Sequence, residues 1–374
     1  MAQIKVPFYG HVKQYEGIKA DIDKAISDVL YSGNYVQGPA LKKFEEELAA
    51  YTGADYAVGV GNGTDALWLA MMALNIGPGD EVITNANTFF ATVEAIWTAG
   101  ATAVLVDADK DTRTIDIEAI KAAITDKTKA IAPVHLYGQT ANMPEIRKIA
   151  DENNLFIIED NAQAFGAAGD NFKIGQYGDV VCTSFIIQKN LGCYGDGGAL
   201  WTNRKEVNDT VRKLRNHGSD ARDHHSYGFN SRLDDLQAAV LSIKLKHIDA
   251  WNDNRIALAK VYDEGLKDVD FITLPYARPG YRHIYHLYEI ETKDPAERDK
   301  LLKYLNDNGI DAKTHYSIAV HKQEGFPWGK PVRISGSLEN AEKNASSCIS
   351  LPIFPELSVD DAKYVIEVLK GYKK

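Results

Sequence analysis

The sequence has few cysteines, more acidic than basic residues and no long apolar run. Its 374 residues include only Cys182, Cys193 and Cys348, with no CxxC pair, which excludes a disulfide framework or a typical zinc site. The net charge of −10 argues against a general affinity for nucleic acid or an anionic membrane. The first ten residues lack the apolar core of a signal peptide, and no stretch is long enough to span a bilayer. We therefore expect a cytoplasmic protein with no metal, membrane or nucleic-acid partner.

What the sequence does have is an alternation of short apolar runs and amphipathic stretches between about residues 60 and 202. Five runs rich in β-branched residues lack polar alternation and predict buried parallel strands, at 81–84, 102–107, 129–136, 155–160 and 180–185. The stretches between them have helical spacing, at 64–74, 89–99, 117–124 and 143–153. Strands that alternate with helices in this way predict a large α/β domain.

After residue 203 the pattern changes. Residues 233–266 contain no proline and predict one long helix that leads to a second domain. The rest of the chain predicts a strand and two helices, at 282–292, at 295–310 and from Ser358. We therefore predict an N-terminal segment and large α/β domain in residues 1–245, and a connecting helix with a smaller α+β domain in residues 246–374.

One lysine, Lys189, lies between an apolar run and a cluster of glycines. A lysine in a loop is usually a solvated charge, but this one directly follows a predicted buried strand. The glycines permit tight turns and close approach of the backbone to a ligand, at Gly192, Gly195, Gly197 and Gly198. A lysine in a partly desolvated cleft has a lowered pKa and can form a Schiff base with an aldehyde. Pyridoxal phosphate (PLP) is an aldehyde cofactor that uses such a lysine, together with an acid at its pyridine nitrogen and a site for its phosphate.

The candidate for that acid is Asp160, at the carboxyl end of the strand predicted at 155–160. Ligands of open α/β sheets bind beyond the carboxyl ends of the strands. A carboxylate there would keep the pyridine nitrogen protonated, which makes the ring a better electron sink. Its neighbour Glu159 faces the opposite way on a strand, and Gln163 is a candidate to contact the ring hydroxyl. The alternative is that Asp160 only caps the turn after the strand.

Small residues before a predicted helix form the candidate phosphate site. Gly63 and Thr64 end such a run, so free backbone N–H groups and the helix dipole face a ligand there. The alternative is that Thr64 is simply the N-cap, and the run lacks the GxGxxG spacing of a dinucleotide site. Ser184 offers another hydroxyl, and Phe89 either stacks on the pyridine ring or belongs to the core.

The order of these features matches the large domain of aspartate-aminotransferase-like, fold-type I PLP enzymes. Over essentially the whole chain, the sequence resembles the DegT/StrS-type nucleotide-sugar aminotransferases. The most specific matching blocks are IIEDNAQAFGA and SFIIQKNLGCYGDGGAL, and others are VGNGTDAL, NANTFFATVEAI and GFNSRLDDLQAAVL. The resemblance implies an α/β large domain with a mostly parallel, seven-stranded-type sheet and a smaller α+β C-terminal domain.

The resemblance also implies roles for individual residues. Lys189 would form the Schiff base and move protons, and Asp160 would pair with the pyridinium nitrogen. Five further residues would hold the cofactor: Gly63, Thr64, Phe89, Gln163 and Ser184. Asn230 would reach the phosphate of the neighbouring subunit, so that a homodimer shares its sites. Three residues would line the entrance for the sugar nucleotide: Tyr35, Tyr316 and His321.

The implied reaction moves an amino group from L-glutamate, through PLP and its amine form PMP, to a keto group of a nucleotide-linked sugar. Some relatives carry histidine in place of the lysine and perform dehydration, so Lys189 favours amino transfer. The block GFNSRLDDLQAAVL is more similar to members that aminate C3 of a dTDP-3-keto-6-deoxyhexose, for lipopolysaccharide, O-antigen or natural-product biosynthesis.

Departures from the family pattern near the substrate keep other acceptors open. Residues 186–188 replace an aromatic–Pro–Gly run, and Ser317 and Ala319 stand where prolines are usual. A 4-keto sugar nucleotide or an inosose is therefore the alternative acceptor. The non-enzyme alternatives are a catalytically inactive regulator with the PLP fold and a plain nucleotide-binding α/β protein.

Overall fold

The computed structural model describes residues 3–219 and 223–373. The strands in this part of the chain are β1 (Tyr56–Val60), β2 (Glu81–Asn85), β3 (Thr102–Val106), β4 (Thr128–Ile131), β5 (Phe156–Asp160), β6 (Ala168–Gly169), β7 (Phe172–Lys173), β8 (Val180–Ser184), β9 (Gly198–Thr202), β10 (Ile272–Thr273), β11 (Tyr288–Thr292), β12 (Val332–Ile334) and β13 (Cys348–Leu351). The α-helices are α1 (His11–Ser32), α2 (Pro39–Thr52), α3 (Gly63–Ala73), α4 (Ala91–Thr98), α5 (Ile117–Ala123), α6 (Met143–Asn153), α7 (Lys205–Leu214), α8 (Asp235–Leu245), α9 (Ile248–Leu266), α10 (Arg298–Asp307), α11 (Glu339–Ser347) and α12 (Val359–Lys370).

The large sheet has the strand order β1-β9-β8-β5-β4-β2-β3-β12. Only β9 runs antiparallel to its neighbours, β1 and β8, and the other pairs are parallel. Strands β1, β2, β5 and β8 therefore end at the same edge of the sheet, at Val60, Asn85, Asp160 and Ser184. The predicted α/β fold with a mostly parallel sheet is confirmed.

The sheet has eight strands rather than the seven that were predicted, and the additional strand is β12. This three-residue strand comes from the C-terminal half and pairs with β3 at the edge. Arg333 within it binds both carboxylate oxygens of Glu81, at 3.0 and 2.7 Å. So short a strand gives almost no periodic signal in a sequence. The domain boundary at residue 245 stays a prediction, and β12 belongs to the large sheet although it lies beyond that residue.

Two predicted elements have different bounds in the structure. The single helix expected at 233–266 is wrong, because α8 ends at Leu245 and α9 begins at Ile248. Helix α8 packs on α1 and α2, whereas α9 packs on α12, so the chain turns between the two parts of the molecule. The strand expected at 129–136 ends at Ile131, before Pro133, and a 3₁₀ turn follows at Leu136–Gly138.

The smaller part is built on the antiparallel sheet β10-β11-β13. Its core includes side chains of α9, α10 and α12 together with Val6 of the N-terminal segment. Among the described residues, no helix is long and apolar enough to cross a membrane.

Candidate active site

A cavity of about 640 Å³ opens at the carboxyl edge of the large sheet. Eight of the eleven predicted site residues line it: Gly63, Thr64, Phe89, Asp160, Gln163, Ser184, Lys189 and Tyr316. The smaller part of the molecule adds His286 and His315, and the N-terminal segment adds Tyr9. The site is therefore assembled from three distant regions of the chain.

Lys189 follows β8 on a tight loop and faces this cavity. Its backbone N–H donates to the carbonyl of Ile186 at 2.8 Å. A Cβ at Gly192 would lie 2.6 Å from the carbonyl oxygen of Ile187, so glycine is needed for the loop to turn back. Burial lowers the pKa of Lys189 to about 8, against the smaller opposing effect of the Asp160 charge. Among the described residues, its Nζ has no hydrogen-bond or ion-pair partner, so the amine is available to a ligand.

The end of the glycine cluster brings β9 against the candidate phosphate site. A Cβ on Gly198 would overlap the carbonyl group of Asn62. At Gly63, a Cβ would lie 2.7 Å from the Cβ of Ser184. Glycine at these two positions therefore lets the start of α3 lie directly beside the end of β8 and the start of β9.

The start of α3 presents free donors to the cavity. Asn62 is the N-cap, because its side chain accepts the Asp65 N–H at 2.8 Å. The alternative that Thr64 is the N-cap is therefore wrong. In the described chain, the N–H groups of Gly63 and Thr64 and the hydroxyl of Thr64 have no partner, so they are free to bind an anion. Ser184 Oγ accepts the N–H of Ile186 at 3.3 Å, which leaves its proton to donate.

Asp160 is almost completely buried at the end of β5. One carboxylate oxygen accepts the Thr92 hydroxyl at 2.8 Å, and the other accepts the Ala162 N–H at 3.1 Å. Glu159 faces away, as predicted, and contacts His135 Nε2 at 2.7 Å. Sequence reasoning missed Thr92, which lies on α4 and reaches Asp160 only through the fold.

Gln163 and Tyr316 form a pair at the wall of the cavity. Gln163 Oε1 accepts the Tyr137 N–H at 2.8 Å, and its Nε2 donates to the Tyr316 hydroxyl at 2.9 Å. Burial raises the pKa of Tyr316, so its hydroxyl keeps its proton. The Phe89 ring is 5.5 Å from that of Tyr316 and is 54% exposed, so the alternative that Phe89 belongs to the core is wrong.

His286 and His315 also line the cavity, and sequence reasoning missed both as site residues. Burial and the nearby Lys189 charge lower the pKa of each, to about 4 for His315 and well below the usual range for His286. Both imidazoles are therefore neutral at physiological pH. The available signal was weak: His286 lies in the mostly apolar stretch YHLY, and His315 directly precedes Tyr316.

Three predicted residues lie outside the lining of this cavity in the single chain. Asn230 is exposed. Tyr35 is also exposed, and its hydroxyl donates to the carbonyl of Leu30 at 3.0 Å. His321 Nε2 contacts Glu342 Oε1 at 2.8 Å.

The residues that do line the cavity fit PLP. They combine an amine of lowered pKa, a buried carboxylate, a group of donors at a helix start with no partner in residues 3–219 and 223–373, and an exposed aromatic face. A plain nucleotide site would need neither the amine nor the carboxylate. The fold and this set of groups thus define a fold-type I PLP-dependent enzyme.

Comparison with known proteins gives the family. Residues 16–370 match the model of the DegT/DnrJ/EryC1/StrS aminotransferase family, and the chain belongs to that family. It is therefore an aminotransferase, and PLP is its cofactor.

Curated relatives match over nearly their full lengths. A dTDP-3-amino-3,4,6-trideoxy-alpha-D-glucose transaminase of Streptomyces venezuelae is 44% identical, over 98% of this chain and 96% of the relative. A protein of Geobacillus stearothermophilus named pleiotropic regulatory protein is 42% identical, over 99% of both chains.

Solved structures agree. The crystal structure of S. venezuelae DesV superposes with a TM-score of 0.94 at 44% identity and covers 99% of this chain and 98% of its own. The structure of Bacillus subtilis NtdA with bound PMP gives a TM-score of 0.90 at 32% identity, with 99% and 85% covered.

Proposed function

We propose that the protein transfers the amino group of L-glutamate to the C3 keto group of a dTDP-linked 3-keto-6-deoxyhexose. The observation that carries the proposal is Lys189, whose amine has a lowered pKa and faces the same cavity as Asp160. The choice of sugar is supported by the 44% identity to a transaminase named for a dTDP-3-amino sugar.

PLP, when bound, supplies an aldehyde for the donor amine and a ring that takes up electrons from the bond broken at Cα. Lys189 Nζ would accept the proton released from Cα of glutamate and then donate it, and it would move protons in the opposite direction when the keto sugar is the acceptor. Its lowered pKa suits this work, because the amine must be neutral to accept a proton.

The other residues of the cavity would hold the cofactor in place and stabilise its charge. Asp160, kept in place by Thr92, would pair with the ring nitrogen and favour the protonated form of that nitrogen. Gly63, Thr64 and Ser184 would bind the phosphate. Gln163 would contact the ring hydroxyl, and Phe89 would cover the ring.

We further propose a homodimer in which Asn230 and Tyr35 act at the partner's site. Tyr35 lies among exposed apolar side chains at the α1–α2 junction: Leu30, Tyr31 and Val36. Val36 forms a β-bridge with Asp234, so this junction lies beside the chain that follows Asn230. Tyr316 and His321 are proposed to face the sugar nucleotide.

The proposed location is the cytoplasm, with a role in making amino sugars for lipopolysaccharide, O-antigen, another glycan or a natural product. The three cysteines are all buried and free, which is compatible with a reducing compartment.

A regulator without chemistry is the second candidate, favoured by the name of the G. stearothermophilus relative. Such a protein has no need of an amine of lowered pKa in the same cavity as Asp160. Because the chain belongs to an aminotransferase family, a regulatory role would be held in addition to catalysis.

The test is an assay of the holoenzyme with L-glutamate and four acceptors: dTDP- and UDP-linked sugars, each as the 3-keto and the 4-keto form. We expect the highest kcat/KM with the dTDP-linked 3-keto sugar. Preference for a 4-keto sugar would overturn the assigned carbon, and preference for UDP would overturn the nucleotide. Turnover of none of them, with an inosose accepted instead, would overturn the substrate class.

A further inference from the structure

Behind Lys189, three buried side chains form a hydrogen-bonded chain from the large sheet to the smaller part. Asn252 on α9 donates through Nδ2 to the carbonyl of Phe165 at 3.0 Å. Its Oδ1 accepts from Nδ2 of Asn190 at 2.7 Å. Oδ1 of Asn190 in turn lies 2.8 Å from Nδ1 of His286. Asn190, the middle member of this hydrogen-bonded chain, is the residue directly after Lys189.

The direction of every bond follows from its first member. A carbonyl oxygen only accepts, so the Asn252 amide group must face Phe165 and its oxygen must face Asn190. Asn190 then has to donate to Asn252, which leaves its own oxygen toward His286. That oxygen also only accepts, so Nδ1 of His286 carries the proton. In a neutral imidazole, Nε2 is then an acceptor.

The absence of a side chain at Gly166 leaves room for this hydrogen-bonded series of side chains. A Cβ there would lie 2.5 Å from Nδ2 of Asn252, and the φ of Gly166 is +91°. A side chain at this position would push Asn252 away from the Phe165 carbonyl. The orientation of His286 is therefore set by contacts made on the far side of the loop that carries Lys189.

The acceptor on His286 has no partner within the part of the chain that the structure describes. Nε2 makes no hydrogen bond to any described residue, and His286 lines the cavity together with Lys189. The charged and titratable groups around the imidazole are Lys189, Arg255 and His315. Burial and the positive charges of Lys189 and Arg255 therefore disfavour a second proton on His286.

We propose that His286 is a positioning residue whose Nε2 accepts a hydrogen bond from the free ε-amino group of Lys189 during the reaction. The inference rests on the role of Lys189 in the proposed function. An amine held through one N–H keeps its lone pair directed at the substrate carbon. A lysine without this acceptor would sample more rotamers and react more slowly.

The kinetic test uses two variants of the holoenzyme. His286→Asn keeps a donor near Nδ1 for Asn190 but has no atom at the position of Nε2. His286→Gln brings an amide oxygen near that position. We expect the glutamate half-reaction of His286→Asn to slow by about tenfold to a hundredfold with glutamate binding unchanged, and His286→Gln to recover most of the rate.

His247→Asn is the matched control and should keep the normal rate, because His247 is not among the residues that line the cavity. Equal rates for wild type and His286→Asn would overturn the proposal. So would a defect confined to glutamate binding.

Nitrogen-15 NMR of histidine-labelled holoenzyme tests the tautomer without relying on activity. The His286 resonances are assigned by their loss in His286→Asn. We expect a protonated Nδ1 and an unprotonated Nε2 in wild type, and a second proton on the ring in Asn190→Asp, whose carboxylate favours the imidazolium. A proton on Nε2 in wild type would overturn the proposed acceptor role of His286 even if the half-reaction were normal. A normal tautomer with no reaction toward glutamate would instead contradict the proposed function.

Discussion

At the scale of single residues, the site depends on opposing influences on one amine. Burial favours the neutral form of Lys189, and the Asp160 charge favours the ammonium. Desolvation is the larger influence, so the pKa falls. His286 and His315 line the same cavity and are neutral, so they add no positive charge beside Lys189.

The lowered pKa of Lys189 predicts the pH dependence of its reaction with an aldehyde. The neutral amine is the nucleophile, and it becomes the major form as pH rises through about 8 rather than through the usual 10.5. The rate at which cofactor-free protein combines with PLP, followed by absorbance, should therefore rise with pH and level off above about 8. A rate still climbing at pH 10 would contradict the burial argument. Lys189→Ala, as the control, should not react.

Asp160 and Glu159 give a matched pair of neighbouring carboxylates on opposite faces of β5. Asp160→Asn should retain PLP but slow the glutamate half-reaction by about a hundredfold or more, because the neutral amide cannot stabilise a protonated ring nitrogen. Glu159→Gln should keep the half-reaction and lose about 1–3 kcal/mol of stability, since it weakens buried bonds to His135 and Gly175. Stopped-flow absorbance and urea unfolding measure the two effects. Full activity in Asp160→Asn would refute the role of the charge.

At the scale of elements, the close approach of three chain segments forms the phosphate site. The start of α3 lies between the end of β8 and the start of β9, and no side chain beyond hydrogen fits at Gly63 or Gly198. The glycines that follow Lys189 in the sequence thus serve two purposes. Gly192 lets the lysine loop turn, and Gly198 brings the next strand against the helix start.

Gly198→Ala is expected to open this contact. Because the added methyl group overlaps the Asn62 carbonyl, we expect a loss of about 1–3 kcal/mol in stability and weaker PLP binding. Gly17→Ala is the matched control, since a Cβ there meets nothing within 4 Å; it should be neutral or stabilising by about 0.5–1 kcal/mol. Thermal unfolding and PLP titration provide the measurements. Unchanged PLP affinity in Gly198→Ala would show that the contact is not needed for the phosphate site.

Local sequence patterns predicted many of the strands and helices. They failed where contacts between distant residues determine where a helix ends or what a side chain does. The strands that carry Asp160 and lead to Lys189 have β-branched runs, and the structure has both. The break between α8 and α9 has no proline or glycine to announce it. Thr64 resembled an N-cap because threonine suits that position, yet Asn62 makes the capping bond. His286 and Thr92 carry no motif of their own, since their roles depend on partners distant in the sequence.

At the scale of the whole molecule, the cavity lies where the large sheet, the smaller part and the N-terminal segment meet. The large domain contributes Lys189 to its lining, the smaller part contributes His286, and the N-terminal segment contributes Tyr9. The proposed dimer would add a fourth contribution through Asn230. The exposure of Asn230 in a single chain leaves it free for that contact.

Mixing two inactive variants tests whether Asn230 acts across the dimer. Random reassociation of Lys189→Ala with Asn230→Ala makes half of the dimers mixed, and each mixed dimer has one site with both defects and one with none. About a quarter of the wild-type activity should therefore return. No recovery, although gel filtration shows mixed dimers, would place Asn230 in its own subunit's site. Full activity of Asn230→Ala alone would remove its role.

The central claim is that Lys189 holds PLP and passes through an amino-transfer cycle. The most direct measurement is the visible absorption spectrum of the purified holoenzyme before and after L-glutamate is added without an acceptor. The account predicts a lysine-bound cofactor band that bleaches to that of PMP, and no such band in Lys189→Ala. A wild-type protein that shows no cofactor band even after PLP is added would contradict the account.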